Sequence, residues 1–211
     1  MKNLKEYLVE GNFFKNLGIG EEQLIRKWLD EHNVKNYTIN NDLTIDVDGD
    51  VYIHNYLESE LPVYIQFGKV NGVFYLYGNE LKTLRGCPKE VGWDFSCSDS
   101  PKLETMKYCP KKVKQCIWCI NCIGLKSLDG CPKTVQSFFC DGCTNLTTLK
   151  GCPKTIKDTL NCSKCTGLTT IKDGPKTIKG DLICTNTQLS VSDIHKYCVV
   201  GGMIYDKDYE G

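Results

Sequence analysis

Arginine is nearly missing from this 211-residue chain: Arg26 and Arg85 are the only two among 26 basic residues. Surfaces that grip phosphate in a bidentate fork prefer arginine, so the shortage argues against a dedicated nucleic-acid binder. Histidine is scarce too, and His32, His54 and His195 lie far apart in the chain. No Gly-x-Ser-x-Gly, phosphate loop or His-Glu-x-x-His occurs, which removes the common hydrolase, nucleotide and zinc-protease signatures. No apolar run approaches the roughly 18 residues of a membrane-spanning helix. The opening Met1-Lys-Asn-Leu-Lys leads a charged amphipathic segment without the apolar stretch of a secretory signal. The expectation is a protein of a reducing cytoplasm, with no membrane contact, no cofactor, no metal and no catalytic residues.

Cysteine, by contrast, is abundant, at 14 residues. In a reducing compartment these are thiols or metal ligands rather than a disulfide framework. Their positions follow a repeat. Gly-Cys-Pro-Lys occurs at 86–89, 130–133 and 151–154, with Tyr-Cys-Pro-Lys at 108–111 and Asp-Gly-Pro-Lys at 173–176. The prolines are spaced by 22, 22, 21 and 22 residues. A fixed period of this size predicts a solenoid of stacked units.

One unit runs from Val70 to Val91. Phe74-x-Leu76 alternates and predicts a short strand with one buried face. Asn79 follows where the chain must turn and backbone groups need a side-chain partner. Leu81 and Leu84 are spaced to fold back over the core, and Pro88 suits a connection outside any hydrogen-bonded ladder. The strand recurs as Val51-x-Ile53, Phe95-x-Cys97, Ile117-x-Cys119, Phe138-x-Cys140, Leu160-x-Cys162 and Leu182-x-Cys184, and Ile204 opens a last one. Eight rungs at about 4.8 Å each span roughly 35 Å. Residues 3–17 and 21–32 have helical spacing, so residues 1–40 are read as an N-terminal helical cap. The solenoid then covers 41–189. Residues 190–211 form a C-terminal cap with a turn of helix from Ser192, a last strand at 202–206, and Lys207, Asp208 and Glu210 blunting the open edge.

The phrase from Phe74 to Val91, LxLxxNxLxxLxGCPxxV with Phe at the first position, resembles the leucine-rich repeat of the short bacterial type. The whole stretch from about residue 21 to 205, including the lead-in Tyr37–Val51, is similar to leucine-rich-repeat proteins of tailed bacteriophages. The resemblance implies an α+β repeat solenoid of about eight short parallel strands behind a helical cap. It also implies a binding protein in the cytoplasm of an infected bacterium that inhibits or redirects a host or defence protein, with no catalytic residues to carry over.

Binding in such solenoids is expected on the outward positions of the concave sheet. If Phe74 and Leu76 point in, Tyr75 and Tyr77 point out. The same rule turns out Tyr52 and His54, Trp118 and Ile120, Phe139 and Asp141, and Ile183. The large apolar members of this set are not required by the core, and aromatics facing solvent in a row mark an interaction surface. Lys89, Lys111, Lys133, Lys154 and Lys176 form a second row along one edge. Residues 1–80 hold 7 basic and 13 acidic side chains, a net of −6, whereas 81–180 hold 17 and 8, a net of +9. The lysine edge is therefore the alternative site, for a polyanion such as nucleic acid. Lysines that merely solvate their turns are the blander account of the row, and the one favoured. A structural component of a phage particle is the remaining alternative.

The cysteines fall in three columns: 87, 109, 131, 152 and 198; 97, 119, 140, 162 and 184; and 122, 143 and 165. The resulting Cys-x-x-Cys pairs hint at zinc, but buried thiols acting as small apolar side chains account for the columns better. Cys116 falls outside them and is expected to face outward. Asp46-Val-Asp48-Gly-Asp50 superficially resembles the start of a calcium loop and lacks the downstream glutamate.

Overall fold

A computed structural model describes residues 20–206. The helix expected over 3–17 and the charges at Lys207, Asp208 and Glu210 lie outside the described residues.

Alternating side chains turn each unit's first segment into a strand. Val51–His54, Phe74–Tyr77, Phe95–Ser96, Cys116–Trp118, Ser137–Phe139, Leu160–Asn161, Leu182–Ile183 and Ile204–Tyr205 lie in chain order in one parallel sheet of eight strands, the front sheet. The near-22-residue beat sets the register, because each residue bonds beside its own equivalent one turn on. Phe74 thus pairs with Phe95, Ile117 with Phe138 and Leu160 with Leu182. The chain makes about seven turns of a parallel-strand solenoid with few helices.

Every inward position is filled. Val51, Phe74, Phe95, Ile117, Phe138, Leu160 and Leu182 form one buried column, and Ile53, Leu76 and then five cysteines form the next. Phe67 meets Phe74 edge-on at 5.1 Å, and Phe74 lies parallel to Phe95 at 6.2 Å. Leu81, Leu103, Leu125, Leu146 and Leu168 close the core from the next leg. A single turn has no second layer of its own, so this apolar surface is covered only by stacking.

The return leg departs from expectation. Instead of running outside any ladder, it forms parallel strands of its own. Ile45–Val47, Phe67–Val70, Glu90–Val91 and Lys112–Val113 make one rear sheet, and Thr134–Val135, Thr155–Ile156, Thr177–Ile178 and Val199–Val200 make another. Proline is tolerated because the ladder starts just after it: Lys111 N–H donates to the Lys89 carbonyl at 2.9 Å, and Lys176 N–H to Lys154 at 2.8 Å. Each strand turns Val91, Val113, Val135, Ile156 or Ile178 inward.

Two corners need left-handed backbone, the first in seven turns and the second in five. The first follows the front strand, at Asn55, Gly78, Asp99, Asn121, Gly142, Lys164 and Asn186, with φ between 53° and 76°. Asn, Asp and Gly tolerate this region better than other residues, so Lys164 is the strained member of the series. The second corner precedes the Cys-Pro step, at Gly86, Tyr108, Gly130, Gly151 and Asp173. The glycine of Gly-Cys-Pro-Lys is a backbone requirement. A Cβ at Gly130 would sit 2.2 Å from the Met106 carbonyl oxygen.

Helix α1, Glu21–Glu31, starts at Gly20 with Glu21 and Glu22 in its first turn. It buries Ile25, Trp28 and Leu29, and Trp28 meets Phe67 and Tyr56 edge-on at 6.4 Å each. Tyr37–Ile39, after the helical spacing of 21–32 ends, then pairs antiparallel with Ile45–Val47. Helix α2, Val191–Tyr197, begins one residue before the expected Ser192 and is capped by the Ser190 hydroxyl, which accepts from Asp193 N–H at 3.2 Å. No helix among the described residues is long and apolar enough to cross a membrane.

Candidate binding face of the front sheet

The front strands alternate as their sequence requires, so the residues between the buried columns form one continuous outer face. Tyr52 and Tyr77 are 47% and 41% exposed, His54 is exposed, and Tyr75 is half-buried. Tyr52 meets Tyr75 edge-on at 5.6 Å, and His54 lies 5.2 Å from Tyr77. These four rings occupy two adjacent rungs and form one aromatic group. Trp118 and Phe139 form a second, stacked at 4.0 Å with 11° between planes. Ile120 and Ile183 lie half-buried on the same face.

A polar rung separates the two groups. Ser96 pairs with Tyr75 on one side and Trp118 on the other, and it is only 7% exposed although it points outward. Ser137 and Ser163 are likewise outward yet covered. The physical reason is size: a serine between bulkier neighbours lies at the bottom of a notch. The Ser98 hydroxyl accepts from Ile120 N–H at 3.1 Å, tying this rung to the next.

Aspartates at the strand entrances hold the following turn. Asp50 accepts from Val73 N–H at 2.9 Å, Asp94 from Cys116 N–H at 2.9 Å, and Asp181 from Met203 N–H at 2.8 Å. Asp46 accepts from Lys69 N–H at 2.7 Å, and Asp48 accepts from Asn71 Nδ2 at 3.0 Å. The three carboxylates of the calcium-like phrase are therefore engaged with the next turn. Burial, then the Asp94 carboxylate beside it, pushes the Tyr75 phenol up to about 12. The same two causes push the Cys116 thiol up to about 11.

Asp141 differs from these anchors. Its Oδ1 is buried without a hydrogen-bond partner, and burial holds its carboxyl above the ordinary range. The indole Nε1 of Trp118 is buried without a partner as well.

The lysine row runs along the rear ladder, and all five members are exposed. Two of them are engaged in the fold. Lys111 Nζ donates to the Gly130 carbonyl at 2.8 Å, and Lys154 Nζ to those of Asp173 and Gly174 at 2.6 and 3.0 Å. Each reaches forward to a left-handed corner and satisfies carbonyls there.

All 14 cysteines are free thiols, and no three His, Cys, Asp or Glu side chains among the described residues are grouped to hold a metal ion. The third column has a role that the apolar pattern does not reveal. Cys122, Cys143 and Cys165 each donate S–H to the carbonyl of Cys97, Cys119 or Cys140 one turn back, at 3.1 Å in every case. Asn79 fills the same slot earlier, accepting from Tyr56 N–H at 2.7 Å and donating to the Ile53 carbonyl at 3.2 Å. Equal spacing from the strand was the available signal: each of the four lies five residues after its first inward residue.

No protein-family profile matches the chain, and comparison with curated proteins and with solved structures returns no match.

Proposed function

We propose that the protein is a binding module that docks a protein partner on the front sheet, and that it is not an enzyme. The observation that carries this reading is the pair of aromatic groups on the outer face. The inward columns already fill the core, so folding does not call for Tyr52, Tyr75, Tyr77, Trp118 and Phe139 there. Rigid aromatic side chains give a large contact area at low entropy cost, and they are the usual anchors of interfaces. The three histidines favour no shared acid–base site. His32 stacks on Trp28, His54 lies beside Tyr77, and His195 is on α2.

We read the solenoid as leucine-rich-repeat-like, with α1 as its N-terminal cap. From the resemblance to phage repeat proteins we take the partner to be a host bacterial protein, met in the host cytoplasm and inhibited or redirected. Polyanion binding along the lysine edge has less support, because Lys111 and Lys154 already serve turn carbonyls.

The test is paired substitution on the face. Tyr77→Ser with Trp118→Ser is expected to cut capture of the cellular partner at least tenfold. The thermal midpoint should fall by only a few degrees, on the scale of about 2–4 °C per kcal/mol for a chain of this size. Undiminished capture, or collapse of the fold, would refute the reading.

A further inference from the structure

The outer face differs in charge from the body that carries it. Its outward positions from Asp50 to Tyr205 include Asp50, Asp94, Asp141 and Asp181 and no lysine or arginine. Residues 81–180 as a whole carry a net of +9, with their lysines on the rear ladder, the corners and the legs between them. Like charge therefore repels a cationic segment from the rear ladder of residues 81–180 and leaves their front face open to it.

Within the face, one acid is left over. Asp50, Asp94 and Asp181 each hold a backbone N–H of the next turn. Asp141 holds none, and no ion pair among the described residues involves it. Its charge is half-removed from water, and its own backbone N–H offsets only part of that. Lys164 at the neighbouring corner tempers that charge without pairing. A cation at the other carboxylate oxygen offsets the penalty for both oxygens, because the charge is shared between them. Two residues earlier on the same strand face, Phe139 stacks against Trp118. A carboxylate beside a flat aromatic pair matches the guanidinium group, which is planar, weakly hydrated, always charged, and both stacks and hydrogen-bonds. Ammonium is more strongly hydrated and loses more by leaving water.

We infer that the front face takes an arginine-bearing basic segment of its protein partner, with Asp141 as the ionic anchor and the Trp118–Phe139 pair as the surface on which the guanidinium lies. This deepens, and rests on, the reading of the front face as a docking surface.

The probes are three eleven-residue Gly/Ser peptides. Their centre is Arg-Ser-Arg-Ser-Arg, the lysine equivalent, or the citrulline equivalent, which keeps the shape and loses the charge. Titration calorimetry at low salt should show the arginine peptide binding at least tenfold tighter than the citrulline peptide and severalfold tighter than the lysine peptide. Asp141→Asn, close to isosteric, should keep the thermal midpoint and lose about tenfold for arginine, and Trp118→Leu should reduce the preference for arginine over lysine. Glu104→Gln, in the leg after the front strand, should bind as the unmodified chain does. Equal binding of arginine and citrulline peptides, or of Asp141→Asn and the unmodified chain, overturns the inference, as does no binding at all. Failure here with capture of the cellular partner still lost in the Tyr77/Trp118 variant removes the arginine assignment alone. Capture undiminished in that variant removes the docking face and the inference with it.

Discussion

At the scale of single residues, the slot five positions after the first inward residue of each front strand shows how a repeat tolerates different chemistry. It holds Asn79, Cys122, Cys143 and Cys165, and all four donate to a carbonyl one turn back. Thr187 serves its own turn, donating to Cys184 at 2.7 Å. Ser100 occupies the slot too, is buried, and has no partner for its hydroxyl. Its side chain is shorter than a thiol's, and the Leu76 carbonyl, its equivalent target, lies one turn back. An unmet buried hydroxyl costs about 1–3 kcal/mol. Ser100→Cys is therefore expected to raise stability by about 1 kcal/mol in urea denaturation under reducing conditions, and an unchanged or lower midpoint would show that the thiol does not reach. This slot was legible in the sequence only in part. Asn79 advertises a hydrogen-bonding need, whereas the cysteines pass for small apolar filling because the pattern that finds them counts only burial.

At the scale of elements, the front strands are readable and the rear strands are not. Phe74-x-Leu76 and six of its counterparts alternate over enough residues for the period of two to register. Glu90–Val91 or Thr155–Ile156 offers one inward side chain apiece, and a single apolar residue has no period. The proline two residues ahead argued against pairing, yet the ladder resumes immediately after it. Alternation alone shows which side chains of Val51–His54 and Phe74–Tyr77 turn outward, but the covering of Ser96 and the anchoring by Asp94 depend on neighbours a full turn away. The stacked columns have a consequence for titration. Burial is the main cause that pushes the column thiols of Cys184 and Cys198 up to about 11 each, from an ordinary value of 9.0. Because the folded value lies above the unfolded one, their contribution to stability is complete below pH 9 and is lost as pH rises from 9 towards 11. Thiolate absorbance at pH 10 should be far weaker for the folded, reduced protein than for the same protein in urea, and the thermal midpoint should decline over this window. Equal absorbance in the two states would contradict the burial of these sulfurs.

At the scale of the whole molecule, each turn meets only its neighbours, so integrity depends on register rather than on any one unit. Phe138 and Leu160 are ladder partners one turn apart. Excising 139–160 joins Phe138 to Asn161 and leaves every later residue on its proper column. That shortened chain is expected to fold and to melt cooperatively at a lower temperature. Excising 139–149 brings a return leg into line with a front strand and should abolish the cooperative transition. Circular dichroism on heating distinguishes the two, and a folded half-turn deletion would refute the columnar account. The middle of the same stack is fastened by S–H donors, and sulfur keeps its hydrogen only while it stays reduced. An oxidant that gained entry would turn Cys122, Cys143 and Cys165 from fasteners into intruders, leaving three consecutive carbonyls unmet at the waist of the solenoid. The ends would keep their oxygen- and nitrogen-based ties, so oxidative damage should open the protein from its centre outward, the reverse of ordinary fraying.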